Sequence, residues 1–134
     1  MPDIQKLLSA AKQAMQQAYA PYSKFKVGAA LSDNAGLIHS GCNVENSAYP
    51  IGCCAEQAAV AAMILAQGQS IQDIVIVSAQ KNPCPPCGAC RQIIAEHSQY
   101  NTGIYLLNED NSLIRYSVED LLPQAFSPRH LDGG

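Results

Sequence analysis

Charge is scarce in this sequence. Asp, Glu, Lys and Arg make up 14% of its 134 residues, against about 25% in a typical soluble domain. Such a surface predicts that other subunits cover part of it. Basic excess is absent too: Lys and Arg total 8 against 11 Asp and Glu, for a net charge of −3. No basic patch can track a phosphate backbone, which argues against a nucleic-acid polymer as partner. Long hydrophobic runs are also missing. The longest apolar-rich stretch, Ala58 to Ala66, falls far short of the roughly 20 residues that span a bilayer. The first residues show no basic segment followed by an apolar one, so no signal peptide is expected and the expected compartment is a reducing cytoplasm. Yet 48% of the residues are apolar, which excludes intrinsic disorder. Residues 1–134 are read as a single domain, large enough to bury roughly two-thirds of its unfolded surface without disulfide staples.

Hydrophobic spacing predicts a helix from about Asp3 to Tyr19, on Ile4, Leu7, Leu8, Ala11, Met15 and Ala18, with Pro21 as its stop. Strands around Lys26–Ser32 and Leu37–Asn43 flank the turn signal Asp33-Asn34-Ala35-Gly36 and read as a hairpin. Asn46 to Gly52 is irregular. A helix from Cys54 to about Gln67, almost uncharged after Glu56, is expected to be buried on most sides and capped by Gly68. Asp73–Ser78 reads as a central strand and Cys87 to Glu96 or His97 as a short helix. Gly103–Leu107 and Leu113–Tyr116 read as strands, and a helical turn with Ser117 as its cap follows. The tail after Phe126 is expected to be frayed or docked on a neighbour. This order predicts an α/β fold with helices packed on one mixed five-stranded sheet.

Six cysteines, at 42, 53, 54, 84, 87 and 90, in a chain with a full core and no export signal favour metal binding or catalysis over disulfides. Cys54 opens one predicted helix, and Cys87 and Cys90 lie on the first turn of another. Residues i and i+3 share a helix face, and helix N-termini favour thiolate over thiol. Two such termini meeting across a sheet would hold a thiolate-preferring cation. Zinc fits best, because three sulfurs plus one open position is a catalytic pattern. Glu56, two residues after Cys54, is placed to move a proton beside the metal without ligating it. Two other readings stand beside this one: an iron–sulfur run through Cys84, Cys87 and Cys90, and a closed four-cysteine structural zinc site completed by Cys84 or Cys53. Cys42 and Cys53 are expected to be small buried fillers. His39, His97 and His130 are expected at the surface or at helix ends.

The motif Cys54-Ala55-Glu56 followed by Pro86-Cys87-Gly88-Ala89-Cys90-Arg91-Gln92 is that of zinc nucleobase deaminases. With Tyr22-Ser23-Lys24-Phe25-Lys26-Val27-Gly28-Ala29-Ala30-Leu31 and Gly41-Cys42-Asn43-Val44-Glu45-Asn46, the chain resembles the cytidine deaminases of the small homotetrameric, three-cysteine type over nearly its whole length. The resemblance implies a three-layer α-β-α fold and one zinc per subunit on Cys54, Cys87 and Cys90, with Glu56 as proton shuttle. It implies Asn43 and Glu45 on the ribose hydroxyls, Phe25 on the pyrimidine, and Ala55 in the substrate site. It also implies that Tyr49 and Phe126 are lent to a neighbouring subunit's site. The activity implied is hydrolytic deamination of cytidine and 2′-deoxycytidine by zinc-activated water, in pyrimidine salvage. The alternatives are a blasticidin S-type aminonucleoside deaminase and a non-catalytic zinc scaffold.

Three positions depart from the family pattern. Gln57 stands where three-cysteine members have Arg, which leaves Arg91 as the expected donor to a ligand sulfur. Lys26 replaces a usual Pro and is expected to set a cation near the mouth of the site. Gln124 replaces a usual Gly before Ala125-Phe126 and bears on how Phe126 docks.

Overall fold

The computed structural model describes residues 3–80 and 83–131. Helix α1 (Ile4–Gln16) starts where the Asp3 carboxylate accepts the Lys6 N–H, and it buries Leu7, Leu8 and Ala11. It ends sooner than expected because the Tyr19 backbone has another partner. The Tyr19 N–H donates to Asn43 C=O at 3.0 Å, and its own C=O accepts the Glu45 N–H at 2.8 Å. Strands β1 (Val27–Asp33) and β2 (Ile38–Cys42) form the expected hairpin. Asp33 organises its turn by accepting the Ala35 and Leu37 N–H groups and contacting His39 Nε2 at 2.8 Å. His39 is thereby drawn off the surface, contrary to expectation.

Helix α2 (Ala55–Leu65) is followed by β3 (Ile71–Ser78), α3 (Gly88–Glu96), β4 (Ser98–Leu107) and β5 (Leu113–Tyr116). The left-handed residue closing α2 is Gln67, at φ 70°, and not Gly68. Gly68 is needed for space, since a Cβ there would lie 2.5 Å from Met63 Cγ. Strand β4 begins five residues before the expected Gly103. Thr102 makes that lead possible: its hydroxyl donates to Ile71 C=O at 2.7 Å and accepts the Gln99 N–H at 2.9 Å, across an irregularity in the β3–β4 register. Ser117 and Asp120 form a complete capping box on α4 (Val118–Leu121). Within the tail, expected to be frayed or docked on a neighbour, a short helix forms, α5 (Pro128–Leu131); residues 132–134 lie outside the described residues.

The sheet order is β2-β1-β3-β4-β5, with β3 and β4 parallel and the other pairs antiparallel. Its two faces bury separate cores. Ala30, Val75 and Val77 pack beneath α1, and Ala29, Leu31, Ile74, Ile76, Ile104 and Leu106 pack beneath α2 and α3. This is the mixed five-stranded sheet that the element order predicts, in the three layers that the resemblance implies. Within the single chain helix α2 buries Ala55, Glu56, Ala59, Val60 and Met63 and leaves Ile64 and Leu65 exposed at its end. Among the described residues no helix is long and apolar enough to cross a membrane.

Two glycines set the distance between layers. A Cβ on Gly28 would fall 2.1 Å from Ala11 O, and one on Gly41 would fall 2.5 Å from Ala59 N and 2.7 Å from Ala55 O. Both obstacles are helix backbone, which cannot rotate aside. Because Ala55 and Glu56 open α2, Gly41 also fixes how deeply the start of that helix sits on the sheet. Gly41→Ala is expected to lower the unfolding free energy by about 1–3 kcal/mol, read by urea titration. An unchanged midpoint would show that α2 can lift without cost.

Candidate active site

The sheet brings two helix starts together beside the carboxyl end of β3, where an open α/β sheet places its ligands. Cys54 occupies the N-cap of α2 and Cys87 the N-cap of α3, and neither thiol makes a capping hydrogen bond. Cys90 lies on the first turn of α3 and is buried, whereas Cys87 is exposed. The three Sγ atoms lie within 4.8 Å of one another. Zinc–sulfur bonds of about 2.3 Å in a tetrahedron set sulfurs about 3.8 Å apart, within that limit.

The ionisation of these thiols shows what the cluster needs. At Cys87 burial opposes ionisation, but the Cys90 and Ala89 N–H groups and the neighbouring thiols outweigh it and hold the thiol below its ordinary value. Burial pushes Cys54 and Cys90 the other way, and the negative charge of Glu56 adds to it at both. Ionising all three thiols together is disfavoured here, and a dication among them would supply the missing attraction. The donor set fits zinc.

Glu56, on the first turn of α2, is only 4% exposed. Burial pushes its carboxyl above the ordinary value, against hydrogen bonds from its own backbone N–H and the Cys90 thiol. A carboxyl shifted toward neutrality is suited to taking up and releasing a proton. Glu56, Cys54 and Cys87 face a cleft of about 360 Å³ whose walls include the expected Phe25, Asn43, Glu45 and Ala55, and also Tyr49, which was expected in a neighbouring subunit's site. That volume suits a small organic ligand.

The far wall is held by side-chain-to-backbone bonds. Asn43 Oδ1 accepts the Val27 N–H and Asn43 Nδ2 donates to Phe25 C=O, both at 2.8 Å. One amide hydrogen and one oxygen lone pair are left over. Glu45 Oε1 accepts the Tyr22 and Ser23 N–H groups at 3.0 and 3.1 Å, and Oε2 accepts the Ser23 hydroxyl. The Ser23 hydroxyl, then its N–H, hold the Glu45 carboxyl below its usual range.

Other expected residues stand elsewhere. Arg91 does not donate to a sulfur: Nε bonds Pro86 C=O at 2.8 Å and Nη1 bonds Leu121 C=O at 2.9 Å. Gln57 is exposed and off the cleft wall. Lys26 directs Nζ toward Gln16 C=O at 3.5 Å, at the end of α1 and not at the cleft mouth. Phe126 is 56% exposed and off the cleft wall, with its ring stacked on His130 and its C=O accepting from Gln92 Nε2 at 3.0 Å. Cys42 and Cys53 are half-buried, not the buried fillers expected. Cys53, Cys84 and Pro85 line the cleft. Their signal was positional: an extended, proline-rich approach to Cys87 and an extended residue before Cys54 must both run beside the sulfurs. Cys53 and Cys84 stay outside the cluster of three sulfurs.

Residues 1–106 match the family model for the cytidine and deoxycytidylate deaminase zinc-binding region. Over 129 residues the chain is 43% identical to the cytidine deaminase of Sporosarcina psychrophila, spanning 96% of this chain and 95% of that protein. It is 39% identical over 130 residues to the cytidine deaminase of Halalkalibacterium halodurans, spanning 97% and 98%. The crystal structure of cytidine deaminase from Burkholderia pseudomallei superposes with a TM-score of 0.87 at 41% identity, covering 93% of this chain and 100% of that one.

Arg91 ties the Pro86 turn, which delivers Cys87, to the end of α4. Arg91→Ala is expected to make bound zinc about tenfold easier to strip, measured by competition with a colorimetric chelator. Zinc retention equal to that of the unmodified protein would show that Arg91 supports α4 alone.

Proposed function

The chain belongs to the cytidine and deoxycytidylate deaminase family, and from that membership we propose that it hydrolyses the 4-amino group of cytidine and 2′-deoxycytidine. Water is consumed, ammonia leaves, and uridine or 2′-deoxyuridine remains. The observation that carries this reading is the meeting of three thiols and a buried carboxyl with a nucleoside-sized cleft. Residues 1–134 act as one domain with one zinc per chain, in cytoplasmic pyrimidine salvage.

Cys54, Cys87 and Cys90 hold the zinc. Bound there, zinc would supply a Lewis acid that makes water nucleophilic at neutral pH. Glu56 takes one proton from the attacking water and passes it to N3 of the pyrimidine, then takes the second from the hydroxyl now bonded to C4 and delivers it to the departing amine, so that the C4–N bond breaks as the C4 carbonyl forms. Its raised affinity for protons suits both halves of that transfer. Phe25 packs on the pyrimidine. Asn43 meets the ribose hydroxyls with its remaining amide hydrogen and lone pair, and Glu45 accepts from them beside the donors that pin it. Tyr49 and Ala55 complete the wall.

A homotetramer with shared sites accompanies this reading. Tyr49, Ile51, Ile64, Leu65 and Phe126 are exposed apolar side chains, and a second copy covering them agrees with the low charge of the surface. Phe126, off the cleft of its own chain, is then offered to a neighbour's.

The test is ammonia release from cytidine by the zinc-loaded protein and by Glu56→Gln. The unmodified protein is expected to release ammonia, and the variant to be slower by about 10³-fold or more. Equal rates would remove Glu56 from proton transfer. No release by folded, zinc-loaded protein would overturn the cytidine reading and make blasticidin S the next substrate to try.

A further inference from the structure

The residues proposed to hold the two halves of the nucleoside are joined to each other through one hydroxyl. The Ser23 hydroxyl donates to Glu45 Oε2 and accepts the Phe25 N–H at 3.1 Å. On its other side Phe25 gives its C=O to Asn43 Nδ2 at 2.8 Å. The backbone that presents the Phe25 ring is thus suspended between the two ribose residues, directly from Asn43 and through Ser23 from Glu45. The loop between them is shaped to reach this arrangement. Consecutive N–H groups of Tyr22 and Ser23 converge on Glu45 Oε1, and Lys24 adopts a left-handed φ of 59°. A lysine accepts that conformation only where surrounding bonds impose it. The Lys24 N–H closes the loop on Ala20 C=O at 3.1 Å.

We propose that Ser23 is a positioning residue that locks the base platform, Phe25, to the ribose carboxylate, Glu45, so that base and sugar are bound as one unit. This rests on the cytidine reading of the site. The hydrogen bonds of Ser23 run to Glu45 and Phe25 and not to Cys54, Cys87, Cys90 or Glu56, so its loss is expected to weaken ground-state and transition-state binding alike and to leave the chemical step intact.

The test compares the zinc-loaded unmodified protein with Ser23→Ala and Ser23→Thr. Two constants are read: KM for cytidine, and the inhibition constant of 2′,3′-dideoxycytidine, which lacks the hydroxyls that Glu45 accepts from. Ser23→Ala is expected to raise both constants by roughly tenfold, since a bond to a charged group is lost, while kcat stays within about twofold. Ser23→Thr, which keeps the hydroxyl, is expected to restore both.

A rise in KM for cytidine alone would show that Ser23 serves the sugar carboxylate only, and would overturn the coupling. Two unchanged constants, or a fall in kcat with KM unmoved, would overturn it as well. Should Ser23→Ala fail to fold, Glu45→Gln is applied alone and with Phe25→Leu. Coupling then predicts that Glu45→Gln weakens dideoxycytidine binding and that the two effects are not additive, whereas additive effects would overturn it. Failure of the unmodified protein to deaminate cytidine is a separate result, which removes the functional reading and this inference with it.

Discussion

Ionising three thiols whose sulfurs lie within 4.8 Å of one another is disfavoured unless a cation stands among them, and the surrounding architecture serves that requirement. Cys54 and Cys87 take the caps of two separate helices, so both positive helix ends face the same small volume. Helix α2 reaches it because Gly41 lets backbone lie against backbone. Helix α3 reaches it because β3 and β4 run parallel and α3 is their connection. An ion held by Cys54, Cys87 and Cys90, as proposed, would also clamp α2 to α3 across the edge of the cleft and so link metal binding to the assembly of the fold.

The opposite wall is built on a different principle. Asn43 and Glu45 are polar side chains whose hydrogen bonds go largely to backbone of the Tyr22–Val27 segment. The same bonds that shape the loop hold each side chain in place, so under the proposed role little side-chain entropy would be lost when a sugar binds. The cleft therefore joins a wall carrying the three thiols and a wall of polar side chains pinned to backbone. Glu56 is buried beside the thiols, where desolvation raises its proton affinity.

Element type and order were legible because they depend on local periodicity: the sheet, its hairpin and the helices carrying the cysteines all follow from apolar spacing and turn residues. The meeting of the three thiols was legible for the same reason, since Cys87 and Cys90 sit one turn apart and Cys54 caps a helix. Element ends were less so, because distant partners decide them. The Tyr19 backbone leaves α1 to pair with Asn43 and Glu45, and Thr102 extends β4 through a bond to Ile71. Long side chains were the least legible. Arg91 and Lys26 were expected near the site, but Arg91 bonds the carbonyls of Pro86 and Leu121 and Lys26 reaches toward that of Gln16. A flexible cation goes to the nearest orphan carbonyl, and only the folded chain shows which that is. Ser23 was hidden for a related reason: its importance lies in what it joins.

The central claim is that the site holds a metal with three sulfur ligands and one position open to solvent and substrate. X-ray absorption at the zinc edge of the purified, zinc-loaded protein tests it most directly. The expected first shell is three sulfurs at about 2.3 Å and one oxygen or nitrogen at about 2.0 Å. A shell of four sulfurs, with Cys84 or Cys53 swung in to close it, would make the site structural and contradict the account.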